Sequence, residues 1–475
     1  MADSKYADLK PGGPSAPHKR LGWLVREPAF YKKLALIALP LAGQSVISYG
    51  VGLADNMMVS HLGEGSIGGI FIVNQIQAVL HMLMLGLGAA LVILAAQYFG
   101  KGDIRSVKVI ISFSIQIAVG VSILLFLLMT FCSKPILGLF SDAGTVIAEG
   151  LIYVAWLRWS FVIFALTNVL LAAMRCAGSV NIGIATSLTA FLSNLLFNYI
   201  FIFGKLGAPA MGVAGAALAT LLSRIAECSV VICYVLRLDT KIRYRPKDIV
   251  LRSRTLSFDY FRYGLPVILG DIFWGFGGAA KASIVGRLGE SVIAANSIVG
   301  NLGQIFMVFI YGASSAGSLA VGQAIGKNEY AAAKKYTKTL QLVYPCIGLA
   351  SACALFSLRG TLLALPAFKA LAPGTIRYGM EFLTVLCFTM VGTSYQMAAL
   401  QIVRAGGATH FVLINDLIFV WLVMMPLALI AFNVFHAPPW VIFLCINCDQ
   451  VLKCGVAAVK VNRFRWMKNL TRQQA

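Results

Sequence analysis

Charged residues are scarce in this chain: Asp, Glu, Lys and Arg together occupy 12% of its 475 positions. A water-soluble domain carries about a quarter, so an ordinary soluble fold is excluded. Acids are scarcer still, 18 against 39 Lys and Arg, and there are five His. The sequence offers no His-rich metal cluster, no Gly-x-Ser-x-Gly elbow and no intramembrane Asp pair, the marks of a membrane-embedded enzyme. We therefore expect a protein that is not an enzyme and needs no cofactor. The first thirty residues lack an apolar core ahead of a small-residue cleavage site. No cleavable signal peptide is expected, and the first helix would serve as the insertion signal.

What the chain has in abundance is apolar length: 59% of residues are hydrophobic and the mean hydropathy is +0.82. With about 20 apolar residues per span, twelve helices are predicted, centred near Val46, Leu83, Ile123, Phe161, Leu192, Ser223, Trp274, Met307, Leu349, Leu386, Trp421 and Cys448. The formal charge of +21 sits between these segments, which favours membrane topology over nucleic-acid binding. Lys19, Arg20, Arg26, Lys32 and Lys33 precede the first helix, Arg237 to Arg254 form a basic linker, and Lys460, Arg463, Arg465 and Lys468 follow the last. The positive-inside rule then puts both termini in the cytoplasm. The expected organisation is a tail over 1–33, a lobe of six helices over 34–237, a linker over 238–259, a second lobe over 260–459 and a tail over 460–475. Most of the ten Cys lie inside helices, where free thiols act as small apolar groups. Those thiols and the compact loops suit a bacterial inner membrane, and the protein is expected to be a monomer in contact with lipid.

An internal repeat appears at an offset of about 226 residues: Pro40 falls on Pro266, Leu62-Gly63-Glu64 on Leu288-Gly289-Glu290, Gly86 on Gly312, Gln97 on Gln323 and Gly100-Lys101 on Gly326-Lys327. The chain is therefore read as an all-α integral membrane protein, twelve transmembrane helices in two pseudo-symmetric six-helix bundles. Six is even, so the repeats are parallel and related by an axis along the membrane normal, an arrangement suited to alternating access around a central site.

Polar residues at membrane depth are few and costly, about 2.5–3.5 kcal/mol per charge on insertion scales. Asp55 lies roughly 30 Å along the first helix at 1.5 Å per residue, toward the outer leaflet. On the fifth helix Asn194 and Asn198 share a face, and the sixth carries Thr220. Together these four would form an oxygen-lined pocket for Na+ or for a proton held on a buried carboxylate; interhelical hydrogen bonding alone is the competing reading. Lys281 falls opposite Asp55 in the repeat frame, with Asp271 and Asp416 as candidate partners, or it lines a cavity of the second lobe with Asp271 and Trp274. Arg224 with Glu227, and Asp449 with Lys453, have the spacing of intrahelical pairs and are read as structural.

The stretch Leu39-Pro40 through Gly52-Leu-Ala-Asp55-Asn-Met-Met-Val-Ser-His-Leu-Gly63 resembles the opening of multidrug and toxic compound extrusion (MATE) transporters. Gln97-Tyr-Phe-Gly100-Lys-Gly-Asp103, Asn194-Leu-Leu-Phe-Asn198, Gly212-Val-Ala-Gly-Ala-Ala-Leu-Ala-Thr220, Gly264-Leu-Pro266 and Arg287-Leu-Gly289 are similar to further signatures of that family, in order. The likeness covers residues 30 to 466. It implies two six-helix lobes around a V-shaped cavity and export of bulky, often cationic, amphiphilic compounds in exchange for H+ or Na+. It also implies that Asp55, Asn194, Asn198 and Thr220 match the family's first-lobe cation site. Two departures are visible: some members carry Asp where this chain has Asn198, and Trp274 and Ala408 fall where certain branches carry second-lobe acids.

The expected activity is thus cation-coupled antiport of small organic, mostly cationic, drugs or toxic metabolites. Met57, Trp274, Phe276 and Met307 are candidates for an adaptable wall. A lipid-linked oligosaccharide flippase of related architecture is the alternative, but it would want several Arg in helix interiors, where Arg is scarce. A sugar carrier of the major facilitator type would show Asp-Arg-x-Gly-Arg-Arg after the second helix, where this chain reads Gly100-Lys-Gly-Asp-Ile-Arg105.

Overall fold

A computed structural model describes residues 24–141, 143–364 and 372–472, apart from the side chains of Leu53, Asn56, Ser60 and Glu64. Lys19 and Arg20 lie outside the described residues. The chain is all-helical, and eleven helices are long and apolar enough to cross a bilayer; a bent pair supplies a twelfth span. In chain order they are α1 Pro28–Val59, α2 Glu64–Lys101, α3 Ile104–Phe131, α4 Gly144–Leu157 with Ser160–Cys176, α5 Asn181–Phe203, α6 Gly212–Cys233, α7 Arg254–Gly286, α8 Glu290–Gly326, α9 Tyr330–Leu363 and α10 Pro373–Ala405. Two more, α11 Thr409–Asn433 and α12 Pro439–Asn462, complete the set. The N-lobe is α1–α6 and the C-lobe α7–α12.

Helical geometry runs past the apolar spans. At 38 residues, α2 is about 57 Å long at 1.5 Å per residue, well beyond a hydrocarbon core of about 30 Å. Its ends therefore stand in water, where Lys101 is exposed. The two halves of α4 meet at 54°. In α11 a π-helical stretch, Ile418–Met424, precedes Pro426, whose ring removes one backbone donor and unwinds the turn before it.

The lobes meet along α1, α2, α7 and α8, and the seam keeps the repeat's symmetry. A Cβ on Gly100 would strike the backbone carbonyl of Gln323, and a Cβ on Gly326 that of Gln97. Only glycine permits so close a crossing of α2 and α8. The Gln97 side-chain amide donates to Ala405 O at 2.8 Å and that of Gln323 to Cys176 O at 2.9 Å. Gln97 and Gln323 stand 226 apart, Cys176 and Ala405 229 apart, so the repeat has gained three residues by the end of α4.

The face that carries the starts of α1 and α7 is tied across the seam. Val25 N donates to Thr339 Oγ1 of α9 at 2.9 Å, and Phe30 stacks on Tyr336 at 4.7 Å. The basic linker docks on α3: Lys108 Nζ reaches Asp248 Oδ2 at 2.8 Å, Ser112 donates to Asp248 O at 2.6 Å and Gln116 to Ile249 O at 2.8 Å. Burial alone would push the Asp248 carboxyl upward; the Lys108 ammonium and the Arg245 N–H outweigh it and hold the group below its ordinary value. A depressed carboxyl stabilises the folded state above its unfolded pKa of about 3.9 and loses that stabilisation as pH falls through the folded value. Acidification below about pH 4 should therefore undock the linker. Amide exchange over residues 245–250, corrected for intrinsic rate, should rise there, and Asp248→Asn should give the raised exchange already at neutral pH. Equal protection in both variants would exclude the carboxylate as the anchor.

Candidate functional site

Helix α1 bears its one membrane-depth acid, Asp55, against α5. Asn198 Nδ2 donates to Asp55 Oδ1 at 2.7 Å and to Asn194 Oδ1 at 3.1 Å. The i,i+4 spacing stacks the two amides on one face, and both are buried. The Asn198 donors are directed at Asp55 and Asn194, while its Oδ1, also buried, has no partner among the described residues. An orphaned amide oxygen beside a carboxylate is an open ligand position for a hard cation.

A cavity of about 210 Å³ opens here, walled by Asp55 and Ser48 of α1, Asn74 and Gln77 of α2, Tyr153 of α4, Ser187 and Asn194 of α5, and Thr220, Ser223, Arg224 and Glu227 of α6. That is room for several waters at about 30 Å³ each. Thr220 Oγ1 donates to Ala216 O at 3.0 Å, and the buried Tyr153 hydroxyl meets the Thr220 side chain. The structure thus brings Asp55, Asn194 and Asn198 into direct contact and sets Thr220 on the same wall.

Sequence reasoning missed part of this wall. Arg224 and Glu227 do pair, Nη1 to Oε2 at 2.8 Å, but they line the cavity rather than brace the helix alone, and the Arg224 charge acts on Asp55. The guanidinium also lies 4.9 Å from the Phe164 ring centre. The wall holds two carboxyl groups against one guanidinium, a formal excess of one acid that a single proton or monovalent cation would balance. Carboxylate, amide and hydroxyl oxygens are the donors that a proton or Na+ would use, so the residues present fit either ion. Asn74 and Gln77, polar at i,i+3 in an apolar helix, were the overlooked signal.

The C-lobe is built differently. Asp271 pairs with Arg404 at 3.4 Å, Arg404 with Asp416 at 3.5 Å, Asp416 with Lys453 at 3.0 Å, Lys453 with Asp449 at 3.3 Å and Asp449 with Lys281 at 3.5 Å. Lys281 therefore meets neither Asp271 nor Asp416: its partner is Asp449 of α12. The Asp449–Lys453 contact forms as an i,i+4 pair, but as one link in this alternating chain. Asp271, Trp274 and Lys281 are not gathered at one point: Trp274 is 57% exposed, and the two charged residues, ten positions apart on α7, have different partners, Arg404 and Asp449. In the repeat frame Lys281 faces Asp55, Asp271 falls on Ser45, Asp416 on Ser187 and Arg404 on Arg175. The N-lobe has hydroxyls where the C-lobe has acids, and Arg175 Nε has no partner among the described residues.

Twelve spans in two pseudo-equivalent lobes, with a polar cavity inside one of them, define a two-lobed membrane transporter. The MatE family profile matches residues 40–200 and 266–430, once per lobe and starting 226 residues apart, and the chain belongs to that transporter family. It is 27% identical over 301 residues to a probable multidrug resistance protein NorM of Thermotoga maritima, covering 63% of this chain and 64% of that one. A protein of the same name from Agrobacterium fabrum is 25% identical over 378 residues, covering 78% and 76%. Among solved structures, a Vibrio cholerae MATE transporter superposes with a TM-score of 0.83 at 16% identity over 92% of this chain and 97% of its own. A MOP superfamily transporter from Pyrococcus furiosus gives 0.83 at 19% identity over 93% and 97%. At these identities the structural likeness speaks to the fold.

Proposed function

We propose that the protein is a cation-coupled antiporter that exports small amphiphilic, mostly cationic, drugs or toxic metabolites by alternating access, with H+ or Na+ as the counter-ion. The observation that carries this reading is the one acid in excess of base in the N-lobe cavity, Asp55, set beside Asn194, Asn198 and Thr220. One cation discharges it, and an ion bound in one state and lost in the other biases the conformational equilibrium. The family and the multidrug resistance names of its relatives support the substrate class. The basic linker and both terminal segments are assigned to the cytoplasm by the positive-inside rule, with the protein in the cell's inner membrane.

One elementary charge moving through 100 mV yields about 2.3 kcal/mol, a gradient of roughly fifty-fold, but exchange of one H+ for one monovalent cation moves no net charge. In proteoliposomes, Asp55→Asn should abolish ion-driven uphill efflux of a fluorescent organic cation while leaving the protein folded. Unchanged uphill transport would remove Asp55 from the mechanism. Replacing Na+ by choline at fixed pH should stop efflux if Na+ is the driver and leave it intact if H+ is.

A further inference from the structure

The chain does not leave the bundle at the end of α12. Phe464 takes a left-handed backbone (φ +54°), a conformation that turns the chain sharply, and residues 464–472 run back beneath both lobes. Trp466, 1% exposed, roots this segment in the C-lobe: its ring fills the space that a Cβ on Gly406 would occupy, and Nε1 donates to Val461 O at 2.9 Å. Lys468 then bridges the seam by itself. Its N–H donates to Gly406 O of the C-lobe at 3.0 Å, while its carbonyl accepts from Gln97 Nε2 of the N-lobe at 3.3 Å.

Two residues later the chain is tied to α2 of the N-lobe as well, while it still rests on α7 of the C-lobe. Leu470 N donates to Gln97 Oε1 at 2.7 Å, and the Leu470 side chain is buried against Ile93 of α2 and Val267 of α7. Arg472 closes the segment: its N–H donates to the Tyr98 hydroxyl at 3.2 Å, its carbonyl accepts from Lys101 Nζ at 2.7 Å, and its guanidinium grips the buried Asp259 of α7 through two bonds of 2.7 Å. Both amide atoms of Gln97 are engaged by the strap, and Gln97 is also the residue whose carbonyl lies against Gly326 at the α2–α8 crossing. The strap therefore covers the crossing of α2 and α8.

We propose that residues 464–472 are a latch that holds the two lobes together on the face bearing the termini, and that it must release from α2 before the transporter can open to that face. The length of chain decides this. From its C-lobe anchor at Lys468 to its N-lobe anchor at Leu470 there are two residues, about 7 Å when fully extended. Lobes joined by so short a tether cannot part at this face while both anchors hold. The contacts are a few hydrogen bonds, one buried leucine and a half-exposed arginine, a set that can break and reform in each cycle. The inference rests on alternating access and is independent of Asp55 and of the coupling ion.

The test uses Lys101→Cys with Arg472→Cys in the full chain, reconstituted in liposomes and bridged by a short reducible bis-thiosulfonate linker, with each single variant as control for the native thiols. Bridging should lower exchange of a fluorescent cation at least tenfold, and reduction should restore it. Equal exchange in bridged and reduced protein overturns the latch. No exchange even in the reduced wild type would refute the transport reading itself and the latch with it. As a second measurement, Arg472→Glu places like charge beside Asp259 and should speed thiol labelling at Ile93→Cys, beneath the strap, at least threefold. Unchanged labelling likewise overturns the proposal.

Discussion

Asp449→Leu should destabilise the protein by about 3–5 kcal/mol, the usual cost of removing one partner from a buried ion pair. Asp449 is 1% exposed and binds two cations, Lys453 and Lys281, and its other contact is Gln450 Nε2 at 2.9 Å. Without it Lys453 retains Asp416, whereas Lys281 retains no carboxylate within salt-bridge distance among the described residues. Adding Lys281→Met should therefore recover most of the loss. Thermal unfolding in detergent reads both variants, and equal midpoints for single and double replacements would mean that Lys281 is not the stranded charge. Glu381→Ala is the contrast: its pair with Arg377 is largely exposed and worth about 0–1 kcal/mol.

Gly326→Ala should destabilise by about 1–3 kcal/mol, the range for overpacked interiors, although alanine is normally the better helix former by about 0.5–1 kcal/mol. The sign is reversed by the neighbour: the new methyl meets the Gln97 backbone carbonyl, which cannot move without shifting α2. Gly120→Ala on α3, where a Cβ meets nothing within 4 Å, should be neutral or stabilising. A Gly326→Ala protein melting at or above the parental midpoint would show that the α2–α8 crossing has slack.

The number of spans was legible because hydrocarbon imposes a length on every crossing helix and the sequence meets it twelve times. The repeat was legible because the seam glycines and glutamines pack crosswise, Gly100 on Gln323 and Gly326 on Gln97, and so leave the same residue types at the same spacing in both lobes. Asp55 and the Asn194–Asn198 pair stood out because polar groups are conspicuous in apolar helices. Who meets whom was less legible. Lys281 and Asp449 are separated by 168 positions, and no local periodicity links them. Arg224 and Glu227 satisfied each other so well by helical spacing that their exposure to the cavity was hidden. The strap had no signal in composition, since its basic residues read as tail charge and only the fold brings Gln97 to Leu470.

The alternating chain of the C-lobe has an electrical consequence. Asp271, Asp416 and Asp449 are matched one for one by Arg404, Lys453 and Lys281, so when that lobe tilts as a unit the membrane field does opposing work on six formal charges that sum to zero. The N-lobe cavity carries an odd charge and enjoys no such cancellation. Transient currents from a membrane packed with this protein would then register charge at α1, α5 and α6, while the ion-pair chain of the C-lobe moved almost without electrical trace.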